Sequence, residues 1–191
     1  MNETNQTDRF APLFAELDRR LAGEAPVRLA IEGGSASGKT TLGKILAKRY
    51  DCTVFHMDDF FLRSEQRTAA RFAEPGGNVD RERFLAAVLL PLRRGEKVFY
   101  RRFDCASMQL QNAGETAPKK LVVAEGAYSM HPDLAPYYDL SVFLPISAEK
   151  QRERILKRNA PAHAKQFFDR WIPFEQRYFD ALDVRNRCDL I

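Results

Sequence analysis

The segment Gly33-Gly34-Ser35-Ala36-Ser37-Gly38-Lys39-Thr40 fits the pattern G-x-x-x-x-G-K-[ST], and residue types in that order are suited to holding phosphate. Glycines let backbone N–H groups come close to phosphate oxygens, and a helix opening at Lys39 adds the positive end of its dipole. Lys39 would reach the β- and γ-phosphates of a nucleoside triphosphate and Thr40 would hold Mg²⁺, with Thr41 carrying the cradle into the helix. The context fits: an apolar run, Val27 to Ile31, precedes the loop, and Thr41-Leu42-Gly43-Lys44-Ile45-Leu46-Ala47 follows it.

A phosphate cradle alone serves kinases, switches, motors and adaptors, so discrimination rests on the acids at other strand ends. Asp58 and Asp59 stand just past the apolar run Cys52 to Met57. There a carboxylate can accept the proton of an acceptor hydroxyl as phosphoryl transfer proceeds; that role falls to Asp58, and Asp59 is expected to cap the following turn. Glu125 ends the apolar run Leu121 to Ala124 with Gly126 behind it. A buried acid in that place needs a partner, either Mg²⁺ together with Lys39 or a structural salt bridge. Arg154 and Arg158 lie four apart on one helix face, as a solvated basic helix or as lid arginines that neutralise a transferring phosphoryl group. Neither N-K-x-D nor D-x-x-G occurs, which disfavours a guanine-nucleotide switch. His56, His131 and His163 show no metal-ligand spacing and read as structural.

The elements that must position these residues alternate between strand and helix. Phe10, Leu13, Phe14, Leu17 and Leu21 recur at helical steps, so a helix is expected from about Asp8 to Ala22, ended by Gly23 and Pro26. Strands are expected at Val27–Ile31, Cys52–Met57, Leu121–Ala124 and Leu140–Leu144, with an edge strand at Lys97–Arg101 and a last one at Cys188–Ile191. Residues 63 to 79 read as a loop, and 104 to 118 as a polar segment in a position to line a substrate site. Asp80 can cap a helix that stops near Pro91 to Gly95. Helices are expected at Ser147–Arg158 and Ala164–Leu182, the second kinked or split by Pro173. Strands separated by helices imply a parallel sheet.

Length and composition set the outer limits. At 191 residues and 45% hydrophobic, one domain spanning 1–191 is expected, with an N-terminal helix in 1–23 and lid helices in about 147–182. A formal charge of +4 and a pI near 9.0 suit phosphorylated ligands, and no module for reading nucleic acid is visible. Three separated cysteines, Cys52, Cys105 and Cys188, read as small buried hydrophobes. Met1 to Asn5 lacks the start of a signal peptide, and no apolar stretch approaches the ~20 residues of a membrane span, so a cytoplasmic protein without membrane contact is expected.

With these residues in view, the chain resembles the uridine kinase-like branch of P-loop kinases, which includes phosphoribulokinase, pantothenate kinase and nicotinamide riboside kinase relatives. The resemblance rests on Ile31 to Thr41, Met57-Asp58-Asp59-Phe60-Phe61, Asn78-Val79-Asp80 and Val123-Ala124-Glu125-Gly126-Ala127-Tyr128. It implies a P-loop NTPase fold, a three-layer α/β/α architecture with a mostly parallel central sheet and a helical lid. It implies ATP and Mg²⁺ as cofactors, with Asp58 as general base that also places Mg²⁺ with Thr40 and Glu125. Asp80 would hold acceptor hydroxyls, Tyr100 and Arg101 would contact the acceptor, and Arg154 and Arg158 would act from the lid. It further implies phosphorylation of a nucleoside or related ribosyl compound; pantothenate, nicotinamide riboside or a sugar phosphate are alternative acceptors, and an ATP-binding regulator is the reading from another class. Relatives often form dimers or tetramers. One departure matters: Arg101 to Ser107 contains no histidine of the kind with which uridine kinases read the pyrimidine, and Arg101 and Arg102 favour an acceptor bearing a carboxylate or phosphate.

Overall fold

The computed structural model describes residues 9–191. The four apolar runs form one parallel sheet from β1 (Val27–Glu32), β2 (Cys52–His56), β5 (Leu121–Glu125) and β6 (Leu140–Phe143), in the order β2-β5-β1-β6. β5 sits between β2 and β1, with His56 level with Glu125 and Ile31 level with Glu125 on the other side. Parallel strands covered on both faces read as near-continuous apolar runs, which is why these were visible in the sequence.

Side chains alternate between two cores, as a period of two requires. Val27, Leu29, Ile31, Leu121, Val123, Leu140 and Val142 pack with α1 (Ala11–Leu21) and α2 (Lys39–Arg49). Ala30, Phe55, Val122, Ala124 and Phe143 point the other way, onto residues 84–92 and onto Tyr128, Leu134 and Tyr178. The result is the three-layer α/β/α architecture the chain was expected to have. α1 starts at Ala11, with Pro12 in its first turn; Asp8, the expected start, lies outside the described residues.

Several elements differ from expectation for identifiable reasons. Lys97–Arg101 is not an edge of the main sheet: β3 (Val98–Asp104) and β4 (Gln109–Thr116) form a separate antiparallel hairpin. Only Val98 and Phe103 of that hairpin are buried, so β4 carried no apolar pattern to find. Within the expected loop 63–79, Ala69–Ala73 forms a short helix, α3, capped by the Thr68 hydroxyl. The last strand shrinks to a single bridge between Val142 and Leu190, because Asp189 turns its carboxylate onto Ser141 N and Oγ.

Two helices pass through prolines instead of ending there. α4 runs over 81–93 and α6 over 161–181, each with one π-helical stretch, Leu85–Leu89 and Phe167–Trp171. Both stretches end two residues before a proline, Pro91 and Pro173. The widened turn absorbs the missing N–H and the ring's bulk, so α6 is neither split nor stopped. α5 (Ala148–Arg158) precedes it, as expected, and Ser147 caps it. Cys105 is exposed, unlike the buried role expected of it.

Candidate active site

The carboxyl ends of β1, β2 and β5 converge, as they do where ligands bind in open α/β sheets, and a cavity of about 780 Å³ opens there. Residues 35 to 41 form one wall. Gly33 adopts φ +144, and a Cβ there would lie 2.6 Å from the Leu144 carbonyl oxygen. Only glycine lets the chain leave β1 at this angle. Gly38 opens α2 without a side-chain cap, leaving the first N–H groups of an eleven-residue helix free of a side-chain acceptor. The Lys39 ammonium donates to the Gly33 and Gly34 carbonyls at 2.7 and 2.9 Å, arching across the loop's mouth.

Opposite the loop stand the acids. A Cβ on Gly126 (φ +148) would lie 2.5 Å from Met57 Cβ, so this glycine allows the turn after β5 to press against the turn after β2. That contact brings Asp58 and Glu125 into one cavity. Thr40 Oγ1 donates to Glu125 Oε1 at 2.9 Å, and His56 Nδ1 is 2.6 Å from the same oxygen. The bond to Glu125 raises the His56 pKa against the pull of burial. Burial works to raise Glu125, but His56, Lys39 and Thr40 together hold it below the usual carboxylate range. Asp58 keeps an accessible face while the cavity walls keep bulk water from the rest of it. That desolvation raises its pKa, Lys39 opposes it, and Glu125 adds to it. A raised pKa suits a group that must take up a proton.

α5 and α6 clamp the outer side of the phosphate loop. Arg154 donates to the Ala36 carbonyl at 2.9 Å, and Gln151 Nε2 to the Ser35 carbonyl at 2.9 Å. Glu175 on α6 takes the Ser35 N–H at 2.8 Å and its hydroxyl at 2.6 Å. Arg158 also faces the cavity, stacked over Phe167, while Arg152 turns away onto Phe168.

Three expected acceptor residues do not join the cavity wall. Asp80 is 2% exposed, caps α4 through Arg83 N at 3.1 Å and pairs with Arg83 Nε at 3.2 Å. Tyr100 stacks on Phe60 and gives its hydroxyl to Asp59 at 2.9 Å, so Asp59 holds Tyr100 and does not cap the turn that follows it. Arg101 bonds across the hairpin to the Leu110 carbonyl.

Residues missed in the sequence include His56, Glu175 and Gln151. His56 could have been found from strand register, since the parallel pairing of β2 with β5 aligns it with Glu125. Glu175 and Gln151 are distant in sequence from the loop they hold, and no local pattern marks them. Glu32 was also missed. It lies buried under the loop, taking N–H bonds from Gly33 at 2.8 Å, Tyr128 at 3.2 Å and Met130 at 2.9 Å, and the Tyr178 hydroxyl at 3.0 Å.

Comparison with solved structures sets this geometry in context. A possible uridine kinase from Bacillus stearothermophilus superposes with a TM-score of 0.69 over 92% of this chain and 98% of that one, at 19% identity. A candidate fructose transport system kinase from Silicibacter sp. TM1040 gives 0.74 over 95% and 97%, at 24% identity. The fold is that of the P-loop kinases. In sequence, residues 35–99 match the family model Shikimate kinase, a stretch that runs from the phosphate loop through Asp58 to the start of β3. No curated protein matches the chain by sequence. Among the described residues, no helix of this P-loop kinase fold is long and apolar enough to cross a membrane.

Proposed function

We propose that the protein is an ATP- and Mg²⁺-dependent kinase that transfers the γ-phosphoryl group to a hydroxyl of a small molecule, a nucleoside or related ribosyl compound. The observation that carries this reading is the meeting of Asp58 with the phosphate loop across one cavity. A switch or adaptor has no need of a proton acceptor facing the triphosphate site.

The residues present fit both cofactors. Ser37 Oγ is buried in the cradle without a hydrogen-bond partner, and α2 opens toward the same space, features that suit phosphate oxygens. Thr40, Glu125 and Asp58 supply hard oxygen donors of the kind Mg²⁺ takes, with one or two carboxylates and the remaining positions left to phosphate and water. Among the described residues there is no cluster of three or more His, Cys, Asp or Glu side chains to form a closed metal cage, which agrees with a shared site of this kind. When bound, the metal would neutralise charge building on the phosphates.

The chain's own residues then divide the work. Residues 33 to 41 hold and orient the triphosphate, and Lys39, released from the loop carbonyls, follows the charge of its terminal phosphates. Arg154 and Arg158 bring positive charge from the lid and, with α6, limit the water that reaches the reacting atoms. Asp58 orients the acceptor hydroxyl and takes its proton at a carboxylate oxygen. The test is ADP release with MgATP over a panel of nucleosides, vitamins and sugars. Acceptor-dependent release supports the reading; ADP release at one unchanged slow rate with every compound would favour a nucleotide-driven regulator instead.

A further inference from the structure

Two buried hydroxyls on the cavity wall have no hydrogen-bond partner among the described residues: Ser37 Oγ, within the phosphate cradle, and Tyr128 Oη. The cradle accounts for the first. Tyr128 is 4% exposed, and a buried hydroxyl left unpaired is destabilising. Its backbone adopts φ +77, a strained value for a bulky residue. The frame holds it there: Glu32 takes its N–H, and its ring packs against Tyr178 at 4.8 Å between centroids. The phenol therefore has a fixed position and a free donor.

Position and charge say what that donor can meet. Tyr128 follows Glu125 and Gly126 at the end of β5, beside the end of β2 that carries Asp58. Asn78 lies beside the phenol oxygen, on the side of an amide donor, and lines the same cavity. Burial keeps the phenol protonated far above neutral pH, so its O–H remains available as a donor.

Resting on the kinase reading above, we propose that Tyr128 Oη, with Asn78 beside it, binds a neutral hydroxyl or carbonyl oxygen of the acceptor next to the hydroxyl that Asp58 activates. Tyr128 is thus a specificity residue, and it selects acceptors with two neighbouring oxygens over simple alcohols.

The experiment compares Tyr128→Phe with the full-length parent on the best acceptor of the panel and on its analogue lacking the neighbouring oxygen. The expected result is a rise of about tenfold in acceptor KM for the variant, the size of one lost neutral hydrogen bond. The KM for ATP should stay within about twofold, and the melting temperature should be unchanged or higher, because an unpaired hydroxyl has gone. The analogue should cost the parent about the same factor and the variant nothing further. An unchanged acceptor KM in a normally melting variant, or the same loss on both compounds, would overturn the inference and leave the kinase reading intact. Absence of acceptor-dependent turnover in the parent would overturn both.

Discussion

At the scale of single residues, the site depends on side chains whose ionisation is set by what surrounds them. His131 is the clearest case away from the cavity. It is 8% exposed, stacked on Tyr178, and takes the Asp133 N–H at its Nδ1 at 3.2 Å. Burial first, and then the nearby Arg81, push its pKa down to about 4. The folded protein therefore holds it neutral, whereas the unfolded chain protonates it near pH 6.5. Its contribution to stability is complete above that value and is lost as pH falls from about 6.5 to about 4. The loss amounts to ~3 kcal/mol at most. Urea denaturation across that range should show a steeper fall for the parent than for His131→Asn; parallel curves would contradict the assignment. Glu32 runs the other way, burial raising it to about 7 against five hydrogen-bond donors, the Ser129 hydroxyl among them, so it works against stability as pH rises toward 7.

At the scale of elements, Asp80 joins three pieces of the structure. It caps α4, and it neutralises Arg83, which in turn lies over the Phe60 ring at 4.5 Å and bonds to the carbonyls of Asp59 and Arg101. Asp80→Ala would leave Arg83 half-enclosed without its countercharge and α4 without its cap. A destabilisation of about 3 kcal/mol is expected, measured by chemical denaturation. A variant that unfolds like the parent but has a raised acceptor KM would instead return Asp80 to the acceptor site that the family resemblance implies. The same scale explains what could be read in the sequence. β1, β5 and β6 are buried on both faces and spell themselves as apolar runs, β2 at the sheet edge keeps a shorter one around Phe55, and the phosphate loop has a fixed spacing. β4 is exposed along almost its whole length, and the π-helical stretches before Pro91 and Pro173 arise from a helix accommodating proline within packed surroundings. Neither leaves a periodic signal. Lys39, Asp58 and Glu125 were legible because each stands at the end of such a strand or in the loop itself; His56, Gln151, Glu175 and Tyr128 reach the site through register or tertiary packing.

At the scale of the whole molecule, the fold brings two kinds of surface together: a glycine-rich loop rising from β1, and acids carried at the ends of β5 beside it and of β2 beyond β5. The lid helices fasten onto that loop through Gln151, Arg154 and Glu175, so lid and cradle are joined by hydrogen bonds to the loop backbone. The central claim is that the cradle and Asp58 serve opposite ends of one phosphoryl transfer. The most direct measurement compares Asp58→Asn with the parent in two assays, MgATP affinity and the rate of phosphoryl transfer to the acceptor. The account predicts affinity within a few-fold of the parent and a transfer rate lower by about 10²-fold or more, the usual contribution of a positioned general base. Transfer at the parent's rate by Asp58→Asn would contradict it.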